Sequence, residues 1–156
     1  MDEQKNNKVL EIFHTIDDEK ALGLDIGIID NQPYFMTKLT TGEYDITFSC
    51  LVDDKYIRFG YFLGEFNESY ELYKAINNYN KIGESNIKMV LRNDDKFNDV
   101  FIELDVKYNS ISEIKDKVIL SIICFFEITQ GERYKDAFDN VMQFQLDVSN
   151  SLSRNW

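Results

Sequence analysis

A chain of 156 residues has the size of one domain, and its 12 Phe and 9 Tyr supply enough apolar bulk for a packed core, which excludes overall disorder. The 17 basic residues against 28 acidic ones leave a net charge of −11, a surface that repels nucleic acid and anionic membrane and attracts basic protein. No apolar run reaches the roughly 18 residues of a membrane span, and the start Met1-Asp2-Glu3-Gln4-Lys5 lacks the features of a signal peptide, so a cytoplasmic protein is expected.

In chain order, residues 8–22 place Val9, Ile12, Phe13, Ile16 and Leu22 at helical spacing, with Gly23 as the stop. The period then changes to two. Leu24, Ile26 and Ile28 alternate with Asp25 and Gly27, and residues 30–33 have turn composition. Residues 34–39 form the return strand, and residues 41–43 the next turn. Tyr44, Ile46, Phe48 and Cys50 alternate with Asp45, Thr47 and Ser49, residues 53–55 turn again, and residues 56–63 make a fourth strand. Asn67 has the chemistry of an N-cap for a second helix carrying Tyr70, Leu72, Tyr73, Ile76 and Tyr79, closed by Gly83. Two strands follow, one with Ile87, Met89 and Leu91 and one with Phe101, Ile102, Leu104 and Val106. Ser110-Ile111-Ser112-Glu113 has the form of a capping box and opens a long apolar helix through Phe126, with Gly131 as its break. Tyr134, Phe138, Val141 and Met142 suggest one more helical piece, and residues 148–156 read as a frayed end.

Strand and helix do not alternate strictly, which disfavours a parallel doubly wound sheet. The expectation is an α+β fold: an antiparallel sheet of about six strands with an N-terminal, a middle and a long C-terminal helix packed on it. All 156 residues form one domain, with a core at about 9–130 and a helical extension and tail at 131–156.

Catalytic chemistry finds little material. His14 is the only histidine, sits in a helix beside Phe13, and reads as a structural helix residue. Cys50 and Cys124 lie in apolar runs and read as small core residues rather than metal ligands. No glycine-rich phosphate loop is present. Residues 94–99 resemble a calcium loop only in their acids, because the central Gly and terminal Glu are missing, and a polar turn is the better reading. Glu103 and Asp105 alternate with Leu104 and Val106 as on a solvated strand face. The expectation is therefore no enzyme activity, no catalytic residue, no metal and no cofactor.

The middle helix segment Leu72-Tyr73-Lys74-Ala75-Ile76-Asn77-Asn78-Tyr79-Asn80, the two strands after it and the helix opened by Ser110-Ile111-Ser112-Glu113 resemble the YbjN domain family. That family is related in fold to type III secretion chaperones. The element order matches over most of residues 9–130, and no diagnostic motif is involved. The resemblance implies a small, acidic, non-enzymatic protein that binds another protein and, in many members, pairs with itself. Residues 119–126 are apolar on every face, so that helix is expected to be fully buried or covered by a second subunit. Tyrosines around the fourth strand and second helix are expected to divide between core and partner groove.

Acidity points to a second reading. The first 78 residues hold 15 acids against 7 bases, and the runs Asp17-Asp18-Glu19 and Asp53-Asp54 lie there. Those five carboxylates are the candidate partner-binding residues. They would stand in for phosphates if the chain were an acidic nucleic-acid mimic that blocks a basic nucleic-acid-binding enzyme, as a phage counter-defence protein does. Under either reading the partner is a protein, and neither nucleic acid nor membrane is contacted directly.

Overall fold

The computed structural model describes residues 1–41, 44–82, 87–94 and 98–146. Its architecture is α+β. Helix α1 (Glu3–Lys20) precedes four strands, β1 (Asp25–Ile29), β2 (Gln32–Thr41), β3 (Tyr44–Val52) and β4 (Tyr56–Glu65). Helix α2 (Tyr70–Ile82), strands β5 (Ile87–Asn93) and β6 (Asn98–Lys107), a 3-10 turn (Ile111–Glu113), α3 (Ile114–Gln130) and α4 (Lys135–Met142) complete it. The six strands form one antiparallel sheet in the order β1-β2-β3-β4-β6-β5. Strand β6 inserts between β4 and β5, so α2 carries the chain past the place that β6 later fills.

Alternation decides the two faces. Phe35, Cys50, Phe59, Leu104 and Ile87 stand in register across the sheet, as do Thr37, Phe48, Tyr61, Ile102 and Met89, and these residues are buried. The helices pack on this face. Phe13 of α1 meets Phe35 edge-on at 4.9 Å, and Phe35 meets Phe48 at 5.5 Å. Phe48 stacks on Tyr61 at 5.0 Å, and Tyr61 on Phe125 of α3 at 4.3 Å. One continuous line of rings thus joins α1, three strands and α3. Tyr61 donates to the Ser121 carbonyl at 3.1 Å and Tyr79 to the Ile128 carbonyl at 3.3 Å, so both buried hydroxyls are satisfied. Burial raises the pKa of each phenol.

Several boundaries differ from the sequence expectation for local reasons. Helix α1 starts five residues earlier than the apolar spacing suggests, because Asp2 caps it by accepting from the Lys5 N–H at 2.7 Å. It stops at Ala21, not Gly23. Asp17 ties off the end, its carbonyl taking the Ala21 N–H and its carboxylate the Leu24 N–H. The first hairpin turn is Asp30-Asn31 alone, both at positive φ, while Gln32 and Pro33 already belong to β2. The cap of α2 is Ser69, whose hydroxyl accepts from the Leu72 N–H at 3.1 Å; Asn67 instead donates its N–H to the Phe144 carbonyl. The Glu113 carboxylate accepts the backbone N–H groups of Asn109 and Ser110 at 2.8 and 2.6 Å, the reach-back half of the capping box.

Helix α3, expected to be fully buried or covered by a second subunit, is not fully buried within one chain. Val118, Phe125 and Ile128 face the core, but Leu120 is 63% and Ile123 55% exposed. Helix α4 is part of the core, which Tyr134, Ala137, Phe138, Val141 and Met142 all join. Past its end the Leu146 N–H donates to the Glu65 carbonyl at 2.7 Å. The turn at 42–43, the helix stop at Gly83, half of the calcium-loop lookalike (95–97) and the end 148–156 lie outside the described residues. Among the described residues no helix is long and apolar enough to cross a membrane.

Candidate partner-binding face

Among the described residues, the second face of the sheet carries no helix. Its rows, read across the strands, are Tyr34, Leu51, Arg58 and Asp105; then Met36, Ser49, Gly60, Glu103 and Lys88; then Lys38, Thr47, Phe62, Phe101 and Val90. These are the alternate positions of the strands whose other side chains fill the core.

The face divides into two halves. On the β1–β3 side, Ile29, Tyr34, Met36 and Leu51 line an apolar groove of about 140 Å³ with Ser49 at its floor. Gly27 makes room for the Tyr34 ring, because a Cβ there would stand 2.9 Å from it. On the β4–β6 side lies a basin of about 440 Å³ whose lining includes Arg58, Gly60, Arg92, Phe101, Glu103 and Asp105. Gly60 has no side chain to fill that centre. Leu51 lines both the groove and the basin, so the two lie side by side on the sheet.

Charges on this face are organised in pairs. Arg58 donates from Nε to Asp53 at 2.9 Å and from a terminal nitrogen to Asp105 at 3.3 Å, and its guanidinium lies over the Tyr56 ring. Arg92 pairs with Glu103 and lies over the Phe101 ring at 5.7 Å, and Phe101 in turn meets Phe62 at 5.1 Å. Solvent-exposed pairs of this kind contribute little stability, typically about 0–1 kcal/mol each. Their effect is to hold two guanidinium groups over aromatic rings at the rim of the basin.

The five acids singled out from the sequence do not form one surface. Asp53 shapes the β3–β4 turn. Partial burial would raise its pKa, but the N–H groups of Lys55 and Tyr56 and the Arg58 guanidinium outweigh this and lower it. Asp54 is exposed and pairs with Lys5 at 3.6 Å. Asp17 closes the end of α1, Glu19 bridges to Lys115 of α3 at 2.9 Å, and Asp18 points to solvent. Lys5 and Asp17 are twelve residues apart on one helix, so the two runs are separated by about 18 Å along its axis. His14 is exposed on α1, and no cluster of three metal-ligating side chains occurs among the described residues.

The residues that sequence reasoning missed are Tyr34, Met36, Leu51, Arg58, Arg92 and Phe101. Their signal was available in part, since each lies in a run read as a strand, but which face each side chain takes was read only for some of those runs. Of the crowded aromatics, Phe59, Tyr61, Phe62 and Phe66 are buried, while Tyr70 and Tyr73 on α2 are exposed. Compared with known proteins, the chain matches no family model and no curated protein.

Proposed function

We propose that the chain is a non-enzymatic protein-binding module of the YbjN or secretion-chaperone-like kind, acting in the cytoplasm and receiving a partner on the helix-free face of its sheet. One observation carries this reading. A six-stranded sheet keeps an apolar groove and, beside it, a larger basin on the face that no helix covers among the described residues. Partly exposed Tyr, Met and Phe beside stacked Arg are the residue types that dominate the energetics of protein interfaces. The net charge of −11 supports a partner with a basic surface.

The test is affinity capture from the native host at low and high salt, with the wild-type chain and a Met36→Lys/Leu51→Lys variant as baits. A partner retained at high salt by the wild type and lost by the variant, with an unchanged circular dichroism spectrum, is the expected result. Capture that survives in the variant but fails at high salt would instead support the nucleic-acid-mimic reading. That reading rests on the total charge and on the exposed Asp18 and Asp54, and reversing those two together with Glu19 would then abolish binding.

A further inference from the structure

The two edges of the sheet are treated differently. At the β5 edge, Asn80 of α2 accepts the Met89 N–H at 2.8 Å and donates to the Met89 carbonyl at 2.9 Å. A side-chain amide thus takes the place of a neighbouring strand at Met89 and blocks the middle of that edge. At the β1 edge the two-residue turn Asp30-Asn31 makes Ile29 and Gln32 a hydrogen-bonded pair, so Gly27 and Asp25 also exchange their bonds with β2. Ile26 and Ile28 are the alternate positions and direct their backbone groups outward. Pro33 agrees with this phase, because it stands opposite Ile28, where β2 needs no donor.

Unprotected edges normally carry charge, proline, a bulge or a cover. The β1 edge carries Ile28 and Ile29, 49% and 46% exposed, and the apolar groove of Ile29, Tyr34, Met36 and Leu51 begins beside it. Acids bracket it. Asp30 stands at one end, and Asp25 at the other, where the Asp17–Leu24 hydrogen bond also brings Asp17 close.

We infer that the outer edge of β1 is a strand-docking site for an extended segment of a partner protein with alternating apolar residues and basic flanks. This rests on the protein-binding reading and names its geometry. The segment pairs with the N–H and C=O groups of Ile26 and Ile28, sets alternate side chains toward the groove and places its flanking cations near Asp25 and Asp30. The docked segment would extend the sheet beyond β1, in antiparallel or parallel sense, without displacing any element of the fold.

The experiment uses the full chain and a synthetic peptide of alternating Val and Thr with lysines at both ends. Controls carry glutamates at the ends, or N-methyl groups on alternate backbone nitrogens. Amide hydrogen exchange followed by NMR reads the edge, and light scattering reads the mass. In the free chain the Ile26 and Ile28 amides exchange fast while Gly27 and Ile29 are protected. The lysine-flanked peptide protects Ile26 and Ile28, and either control peptide weakens binding by at least about tenfold. Ile28→Pro removes an outward donor without touching the β2 ladder and abolishes the protection at Ile26, whereas Ile28→Thr keeps it. Peptide binding that leaves both amides unprotected overturns the edge site while sparing the protein-binding reading, as does absence of binding by every peptide. A dimer in light scattering with Ile26 and Ile28 already protected also overturns it, by assigning the edge to a second copy.

Discussion

Ala21 sits at φ 51 and ψ 48, a left-handed conformation that costs a residue with a Cβ about 1 kcal/mol relative to glycine. Its carbonyl partner and the Asp17 clasp hold it there. Ala21→Gly is therefore expected to stabilise the chain by up to about 1 kcal/mol in urea unfolding, and a loss of stability would show that α1 ends otherwise in solution. Glu113 supplies a second residue-scale expectation. Two backbone N–H groups and the Lys117 ammonium favour its charged form and lower its pKa from 4.5 to about 2. A carboxylate with a depressed folded-state pKa stabilises fully above its ordinary value and ceases to do so as pH falls through the folded one. The melting temperature of Glu113→Gln should thus lie below that of the wild type above about pH 5 and converge with it near pH 2. A constant difference across that range would exclude the charged cap as its cause.

Among the elements, α3 is the most informative. Its composition is apolar on every side, yet Ile114, Val118, Phe125 and Ile128 are buried in the core while Leu120 and Ile123 stay exposed. Phe125 stacks on Tyr61 and so joins the helix to the middle of the sheet. Phe125→Ala is expected to cost about 3–5 kcal/mol, the range for a large ring deleted from a packed core. Leu120→Ser, on the exposed side, should change stability by no more than about 0.5 kcal/mol. Equal costs measured by chemical denaturation would mean that a second subunit covers the outer stripe. The strand elements were read from alternation and from β-branched and aromatic runs between polar turns, and each apolar run between residues 24 and 106 forms a strand or helix of the expected type. Caps and turns were less legible. Asn67 and Ser69 both have capping chemistry, and the choice between them follows from Asn67 being held by Phe144, which is 77 residues further along the chain.

For the molecule as a whole, a net charge of −11 repels itself in the folded state. Raising ionic strength from about 0.01 M to about 0.15 M shortens the Debye length from about 30 Å to about 8 Å, so the melting temperature should rise. A fall would mean that the cross-element pairs Lys5–Asp54, Arg58–Asp105 and Lys115–Glu19 outweigh the general repulsion. The candidate face is likewise a property of the assembled sheet. Tyr34, Met36, Leu51, Arg58, Arg92 and Phe101 come from five strands and share nothing in sequence except an alternate position. The sequence by itself determined the order and type of the elements, the α+β class and the overall charge, because hydrophobic period and composition are local quantities. Only the tertiary structure decided that β6 inserts between β4 and β5, that the helices share one face, and that the acids of α1 and of the β3–β4 turn lie apart. Those outcomes depend on which strands pair and which surfaces pack, and pairing is settled by contacts between residues far apart in the chain.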